Sequence, residues 1–167
     1  MNNTLIKSTS TTREISKTAL VAALYVAVTL ILAVFSFGVI QLRLSEMFNY
    51  LALFHKRYII GITLGVVIAN LLSPTWFLDV PIGGIATFLV LILCRVITQP
   101  IHNLALKMAI TALIFALSMF TVAGQLTIVH DLPFFNTWLI VGIGELLSMT
   151  VGGLTIYLLS KKIDFTK

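Results

Sequence analysis

Of 167 residues, 59% are hydrophobic and 10% charged, against roughly 45–50% apolar and 25% charged in soluble domains. With a mean hydropathy of +1.06, the chain reads as an integral membrane protein, and its near-continuous apolar runs leave no room for a separate soluble domain. The formal charge of +5 reflects topology and contact with anionic inner-leaflet lipid rather than nucleic-acid binding, because the basic residues form no patch with interleaved aromatics.

Lys7, Arg13 and Lys17 flank the first apolar run, Ile15 to Phe35. That run is too long for the apolar core of a signal peptide and suits a retained span of roughly 20 residues. Thr11-Thr12-Arg13-Glu14 has capping-box spacing and predicts the helix start, which makes 1–14 a cytoplasmic tail. Ala19, Ala23 and Ala27 form a small-xxx-small ladder, the spacing that lets membrane helices approach closely, either within the bundle or against a partner.

The second run, Leu42 to Phe54, would be only about 20 Å long as an α-helix, against roughly 30 Å of hydrocarbon. Its outer end must therefore lie below the membrane surface, sheltered by other helices. Gln41 precedes it, and Arg43, Glu46 and Asn49 recur at every third residue with Tyr50 one further on, which predicts one shared polar face.

The third run, Tyr58 to Leu72, carries Asn70 near its outer end; Ser73-Pro74, Trp76 and Asp79 then lead to the fourth, Pro81 to Ile97. The fifth, Leu104 to Ala123, is followed by the breaker Gly124 and by Gln125. Pro133, Asn136 and Trp138 open the sixth, Phe134 to Leu159, and Glu145 lies roughly 12 Å along it at ~1.5 Å per residue. Residues 161–167 form a C-terminal tail. The expected fold is thus an all-α integral membrane protein, a compact six-helix transmembrane bundle over 15–160 with both termini cytoplasmic.

This topology puts ten of the eleven Lys and Arg residues on the cytoplasmic side, as the positive-inside rule requires. Arg43 is the exception. Glu46, Asp79, Asp131 and Glu145 cluster toward the outer half, so that half has a net negative, polar interior. A charge at mid-membrane costs at least about 2.5 to 3.5 kcal/mol on insertion scales, so such residues face the bundle interior and mark a site by default. Packing is the alternative: an Arg43–Glu46 pair that neutralises itself, or Glu145 held by Arg43 to lock the bundle. Trp76 and Trp138 suit either a binding site or the interfacial aromatic belt.

Other chemistries find no support. No Gly-rich loop follows a strand, so Gly142, Gly144, Gly152 and Gly153 read as helix-packing glycines rather than a phosphate cradle. His55, His102 and His130 have no metal-ligand spacing. Ser45 has no neighbouring histidine to activate it, and the single Cys94 reads as packing. No catalytic residue and no metal ligand is assigned.

Four strings, "SFGVIQLRLSE" (Ser36 to Glu46), "GVVIANLLSP" (Gly65 to Pro74), "DVPIGGIAT" (Asp79 to Thr87) and "VGIGE" (Val141 to Glu145), resemble in order and spacing the QueT family of substrate-binding S components of energy-coupling-factor transporters. The resemblance covers essentially the whole chain. It implies a six-helix S component in a bacterial plasma membrane that captures a 7-deazaguanine queuosine precursor, queuine or aminomethyl-7-deazaguanine, from outside. Its partners would be a transmembrane coupling subunit and two ATPase subunits, with ATP used by those chains and no cofactor in this one. The ladder Ala19, Ala23 and Ala27 matches the surface by which S components meet the coupling subunit.

A 7-deazaguanine presents a ring N–H beside an exocyclic amine, two parallel donors that suit one carboxylate. Glu145 is the first choice for that role. Gln125, Asn70 or Arg43 would donate to the neighbouring carbonyl, Tyr50, Trp76 or Trp138 would stack on the ring, and Asp79 or Glu46 would meet a cationic aminomethyl arm. The competing reading is a stand-alone secondary transporter or channel with Glu46 and Glu145 as an ion relay, against which stand the short chain and the lack of an evident inverted repeat.

Overall fold

The computed structural model describes residues 2–36 and 42–166, with no side chain described for 2–10 or 35. Gln41, Phe37 to Ile40 of the string that begins at Ser36, and Lys167 lie outside them, as does the side chain of Lys7. The described residues form seven α-helices and one 3₁₀ helix: α1 Asn2–Ile31, α2 Ala33–Ser36, the 3₁₀ segment Leu44–Leu53, α3 Arg57–Asn70, α4 Trp76–Thr98, α5 Leu104–Ser118, α6 Phe120–His130 and α7 Phe134–Ser160. No strand occurs among the described residues. The six predicted runs correspond to α1 with α2, the 3₁₀ segment, α3, α4, α5 with α6, and α7. Among the described residues, four stretches are long and apolar enough to cross a membrane: Thr11–Ile31, Trp76–Thr98, Leu104–His130 and Phe134–Ser160.

The packing closes on itself. α1 lies against α3, α3 against α4, α4 against α5 and α6, these against α7, and α7 against the 3₁₀ segment, which returns to α1. The 3₁₀ segment also touches α3, α4 and α5, so the element that carries Glu46 and Asn49 stands at the centre of the bundle. Burial follows this order. Seven of the ten 3₁₀ residues are buried, whereas α4 buries only Gly84, Leu91, Cys94 and Thr98. The outer surface of α4 is a row of large apolar side chains, including Ile85, Leu89 and Val96, as lipid contact requires.

Ten residues are unusually many for a 3₁₀ helix, in which runs beyond three or four are uncommon. Its three-residue repeat sorts the side chains into three columns. Arg43, at the N-cap, heads one column with Glu46 and Asn49. Met47 and Tyr50 lie on a second column facing α7: a Cβ at Gly152 would collide with Met47 Cβ, and Tyr50 donates to Met149 O at 3.0 Å. Ser45 and Phe48 lie on the third, facing α1, where Thr29 donates to Ser45 Oγ at 2.7 Å and the Tyr25 and Phe48 rings are 6.3 Å apart. Tyr50 thus leaves the polar face predicted for it, because 3.0 rather than 3.6 residues per turn turn it toward a different neighbour.

α1 and α3 approach closely through Gly65, where a Cβ would lie 2.7 Å from Tyr25 Cβ and 3.2 Å from Ala22 O. The face of α1 turned to α3 therefore carries Ala22 and Tyr25. Ala19, Ala23 and Ala27, on the other side, are all exposed.

Several boundaries differ from the sequence expectation. α1 is already helical over 2–14, so Thr11 lies inside the helix rather than at its start, and Glu14 accepts from the Arg57 guanidinium. α4 starts at Trp76, five residues before Pro81, because a proline within the first turns interrupts few helical hydrogen bonds. The fifth run breaks at Met119 (φ −62°, ψ −5°) rather than at Gly124, which lies inside α6 along with Gln125. α6 ends at Asp131, whose φ of 53° is a left-handed conformation that Asp tolerates better than most residues. The C-terminal tail is docked: Thr166 O accepts from Arg57 Nη2 at 3.0 Å, and the Phe165 ring lies 5.4 Å from Phe54.

Candidate functional site

The Arg43–Glu46–Asn49 column faces the interior of the bundle, and a cavity of ≈ 50 Å³ opens beside it. Arg43 and Glu46 line it from the 3₁₀ segment, Thr87 from α4, Phe115 and Ser118 from α5, Thr121 from α6 and Glu145 from α7. Met119, the residue at which α5 gives way to α6, lines it too. Helices broken at mid-depth are the usual means by which membrane transporters aim polar groups at a binding site. Ser118 and Thr121, on either side of the break, both reach the cavity wall, each bonding its hydroxyl proton back to the backbone, at Phe115 O (2.7 Å) and Ser118 O (3.0 Å).

The two carboxylates at the cavity are held differently. Glu46 is filled from the protein side: Tyr25 donates its phenolic proton to Oε1 at 2.6 Å, and Asn49 Nδ2 donates to Oε2. Glu145 is buried, with 3% of its surface accessible, and among the described residues its Oε1 has no hydrogen-bond partner. A buried acceptor without a donor costs about 1–3 kcal/mol, more when charged. Such an atom on a cavity wall is suited to a donor from a ligand.

Arg43 supplies the positive charge at this level. Its Nε donates to Ser36 O at 3.1 Å and its Nη1 to Asn70 Oδ1 at 3.4 Å, which ties the start of the 3₁₀ segment to the ends of α2 and α3. Asn70 continues the chain of contacts by donating Nδ2 to Asp79 O at 2.9 Å. The Asp79 carboxylate is committed to the protein. Ser73 and Thr75 donate to Oδ2, the latter at 2.7 Å, and Gln125 Nε2 donates to Oδ1. Asp79 therefore clasps the α3–α4 joint to α6, and both Asn70 and Gln125 spend their amides in that clasp.

The structure brings Arg43, Glu46 and Glu145 together at one cavity and sets the remaining candidates around or away from it. Asn70, Asp79 and Gln125 form the neighbouring clasp. Tyr50 is buried against α7. Trp76 is 54% exposed, edge-on to Phe77. Trp138 donates Nε1 to Leu117 O at 3.1 Å and lines an apolar groove of ≈ 480 Å³ between α5 and α7. The aromatic ring at the cavity is Phe115, which the sequence did not single out among many apolar phenylalanines. Tyr25 was also missed, although Tyr25 and Thr29 are an i, i+4 polar pair on the helix face opposite the alanine ladder.

The model of the QueT transporter family matches residues 15–162. A relative from Lactococcus lactis subsp. cremoris (strain MG1363), described as "Queuosine precursor transporter QueT", is 40% identical over 167 residues, covering 95% of this chain and 98% of its own length. No solved structure matches the chain.

Proposed function

The chain belongs to the QueT transporter family, and from that membership we propose that it is the substrate-binding membrane subunit of an ATP-driven energy-coupling-factor importer in the bacterial plasma membrane. Its ligand is a 7-deazaguanine queuosine precursor, queuine or aminomethyl-7-deazaguanine, captured from outside and delivered inward with a transmembrane coupling subunit and two ATPase subunits. The observation that carries this reading is the unpartnered Oε1 of Glu145 on a cavity shared with Arg43 and Glu46.

Each group has a role that fits the ligand. Glu145 accepts the ring N–H and exocyclic amine in the charge-assisted bidentate geometry. Arg43 donates to the carbonyl beside them. Glu46, already bonded by Tyr25 and Asn49, keeps unused lone pairs on both oxygens with which to meet a cationic aminomethyl arm. Phe115 gives the planar ring an apolar wall.

A cavity of ≈ 50 Å³ is smaller than the roughly 300–1,000 Å³ of pockets that enclose drug-sized ligands, so the walls part on binding. The break at Met119 is where α5 and α6 can pivot. On the outside of the bundle, Ala19, Ala23 and Ala27 offer the coupling subunit a smooth surface for close helix approach.

The test is ligand-dependent thermal stabilisation of the purified chain by queuine and aminomethyl-7-deazaguanine, with guanine and unrelated vitamins alongside. Saturable stabilisation by a 7-deazaguanine is expected. Stabilisation by a vitamin alone overturns the substrate.

A further inference from the structure

A second polar cavity, of ≈ 200 Å³, lies at the opposite end of the bundle from Arg43, lined by Leu53, Arg95, Thr98, Gln99 and Lys107. Arg95 comes from the last turn of α4 and Lys107 from the first turn of α5. The two cations therefore meet across the short α4–α5 joint. Neither belongs to an ion pair among the described residues. Arg95 Nη1 donates to Ala52 O at 2.7 Å, which fixes the guanidinium against the C-terminal end of the 3₁₀ segment and leaves most of its five donors unspent.

Two positive charges on one cavity repel each other, and among the described residues no carboxylate lines it to offset them. Lys107 adds to the partial positive charge that the N-terminal turn of α5 already carries. Positive-inside topology accounts for basic residues at this end but not for their convergence on a shared polar cavity. An anion relieves the repulsion. The donor set of one planar guanidinium fork, one ammonium and the Gln99 amide matches several acceptor oxygens spread in three dimensions, as on a phosphate, better than the two coplanar oxygens of a carboxylate.

We propose that the Arg95–Lys107 cavity is a binding site for a phosphate group, carried by an anionic phospholipid headgroup or by the free anion. Basic pockets between membrane helices at this depth suit lipid headgroups, and a site joining α4, α5 and the end of the 3₁₀ segment couples the occupancy of that end to the element that carries Glu46. The site is separate from the Glu145 cavity, so its test does not depend on the transported ligand.

The full chain, purified in detergent, is titrated at constant ionic strength with dioctanoyl phosphatidylglycerol, with inorganic phosphate, and with dioctanoylglycerol, which has the same tails and no phosphate; the readout is the melting midpoint. Saturable stabilisation by phosphatidylglycerol alone assigns the site to a lipid headgroup, and stabilisation by inorganic phosphate as well assigns it to the anion from either source. Lys107→Gln is expected to weaken that binding about tenfold, while Lys107→Arg retains it. Should Lys107→Gln not fold, Gln99→Glu at an exposed position adds a repelling charge and is expected to weaken binding equally. No stabilisation by either phosphate compound, equal stabilisation by dioctanoylglycerol, or unchanged affinity in the charge-altering variants overturns the proposal.

Discussion

Tyr25 of α1 and Glu46 of the 3₁₀ segment are joined by a buried hydrogen bond of 2.6 Å in which the phenol donates to Oε1. Together with the Thr29–Ser45 bond it joins the first helix to the central element of the bundle, where Gly65 of α3 allows α1 to come close. The carboxylate it serves also faces the cavity, so α1 holds the site in place without lining it.

Tyr25→Phe keeps the ring packing with Phe48 and removes the donor. A buried charged acceptor losing one partner costs about 1–3 kcal/mol, and each kcal/mol moves the midpoint by ~2–4 °C in a chain of this size. A melting midpoint lower by several degrees is expected in scanning calorimetry or fluorescence. An unchanged midpoint would mean that the bond contributes nothing to stability.

Glu145→Gln replaces one accepting oxygen with a donor at the atom that lacks a partner. The chain should fold with its midpoint unchanged or raised, since the charge leaves a buried position. Affinity for a 7-deazaguanine should fall by about tenfold to a hundredfold, the worth of a charge-assisted hydrogen bond. Isothermal titration of the two variants side by side decides it, and equal affinities would remove Glu145 from the site.

Gly65→Ala places a methyl 2.7 Å from Tyr25 Cβ, closer than packed carbons allow, and must push α1 away from α3. Gly124→Ala meets only Phe134 Cε2 at 3.9 Å, an ordinary contact. The first should lower the melting midpoint by several degrees and weaken ligand binding, at an overpacking cost of about 1–3 kcal/mol. The second should change neither. Equal behaviour of the two variants would contradict the close α1–α3 approach.

Ala22 and Ala23 are neighbours with opposite surroundings, the first buried against α3 and the second exposed. Ala22→Trp should abolish folding, seen as loss of a monodisperse peak in size-exclusion chromatography. Ala23→Trp should leave ligand binding intact and abolish uptake in cells that carry a coupling module. Normal uptake with Ala23→Trp would argue against the ladder as the coupling surface.

Asp79→Asn turns one of the oxygens that accept from Ser73, Thr75 and Gln125 into a donor. The expected loss is mainly in stability, about 1–3 kcal/mol, with affinity for an uncharged 7-deazaguanine reduced less than twofold. A large affinity loss for the aminomethyl ligand alone would instead put Asp79 in contact with its cationic arm.

The sequence revealed the membrane spans and Glu145 for one reason: a charged residue inside a long apolar run contradicts its surroundings whatever the tertiary structure. Polar spacing of three also marked Arg43, Glu46 and Asn49 as one face, which a 3₁₀ helix preserves even more strictly than an α-helix. The type of helix was not legible, since hydropathy carries no information on hydrogen-bond register, and Tyr50 was misplaced with it. The Met119 break has no glycine or proline to announce it, while Gly124 drew the expected boundary five residues too late. The bond between Asp79 and Gln125 was not legible either, because nothing local indicates that two residues 46 positions apart would meet each other.

The three columns of the central segment also set its tolerance to changes in length. Each residue turns a 3₁₀ helix by ~120°, so removing one position ahead of Glu46 would rotate the segment by a full column. The acidic face would swing onto a neighbouring helix, and an apolar or bulky face would take its place at the cavity. Point substitution can be graded along this stretch, but indels cannot: losing one residue between Arg43 and Glu46 should be as damaging as losing the element, whereas inserting three there would restore the phase and leave only a longer rod.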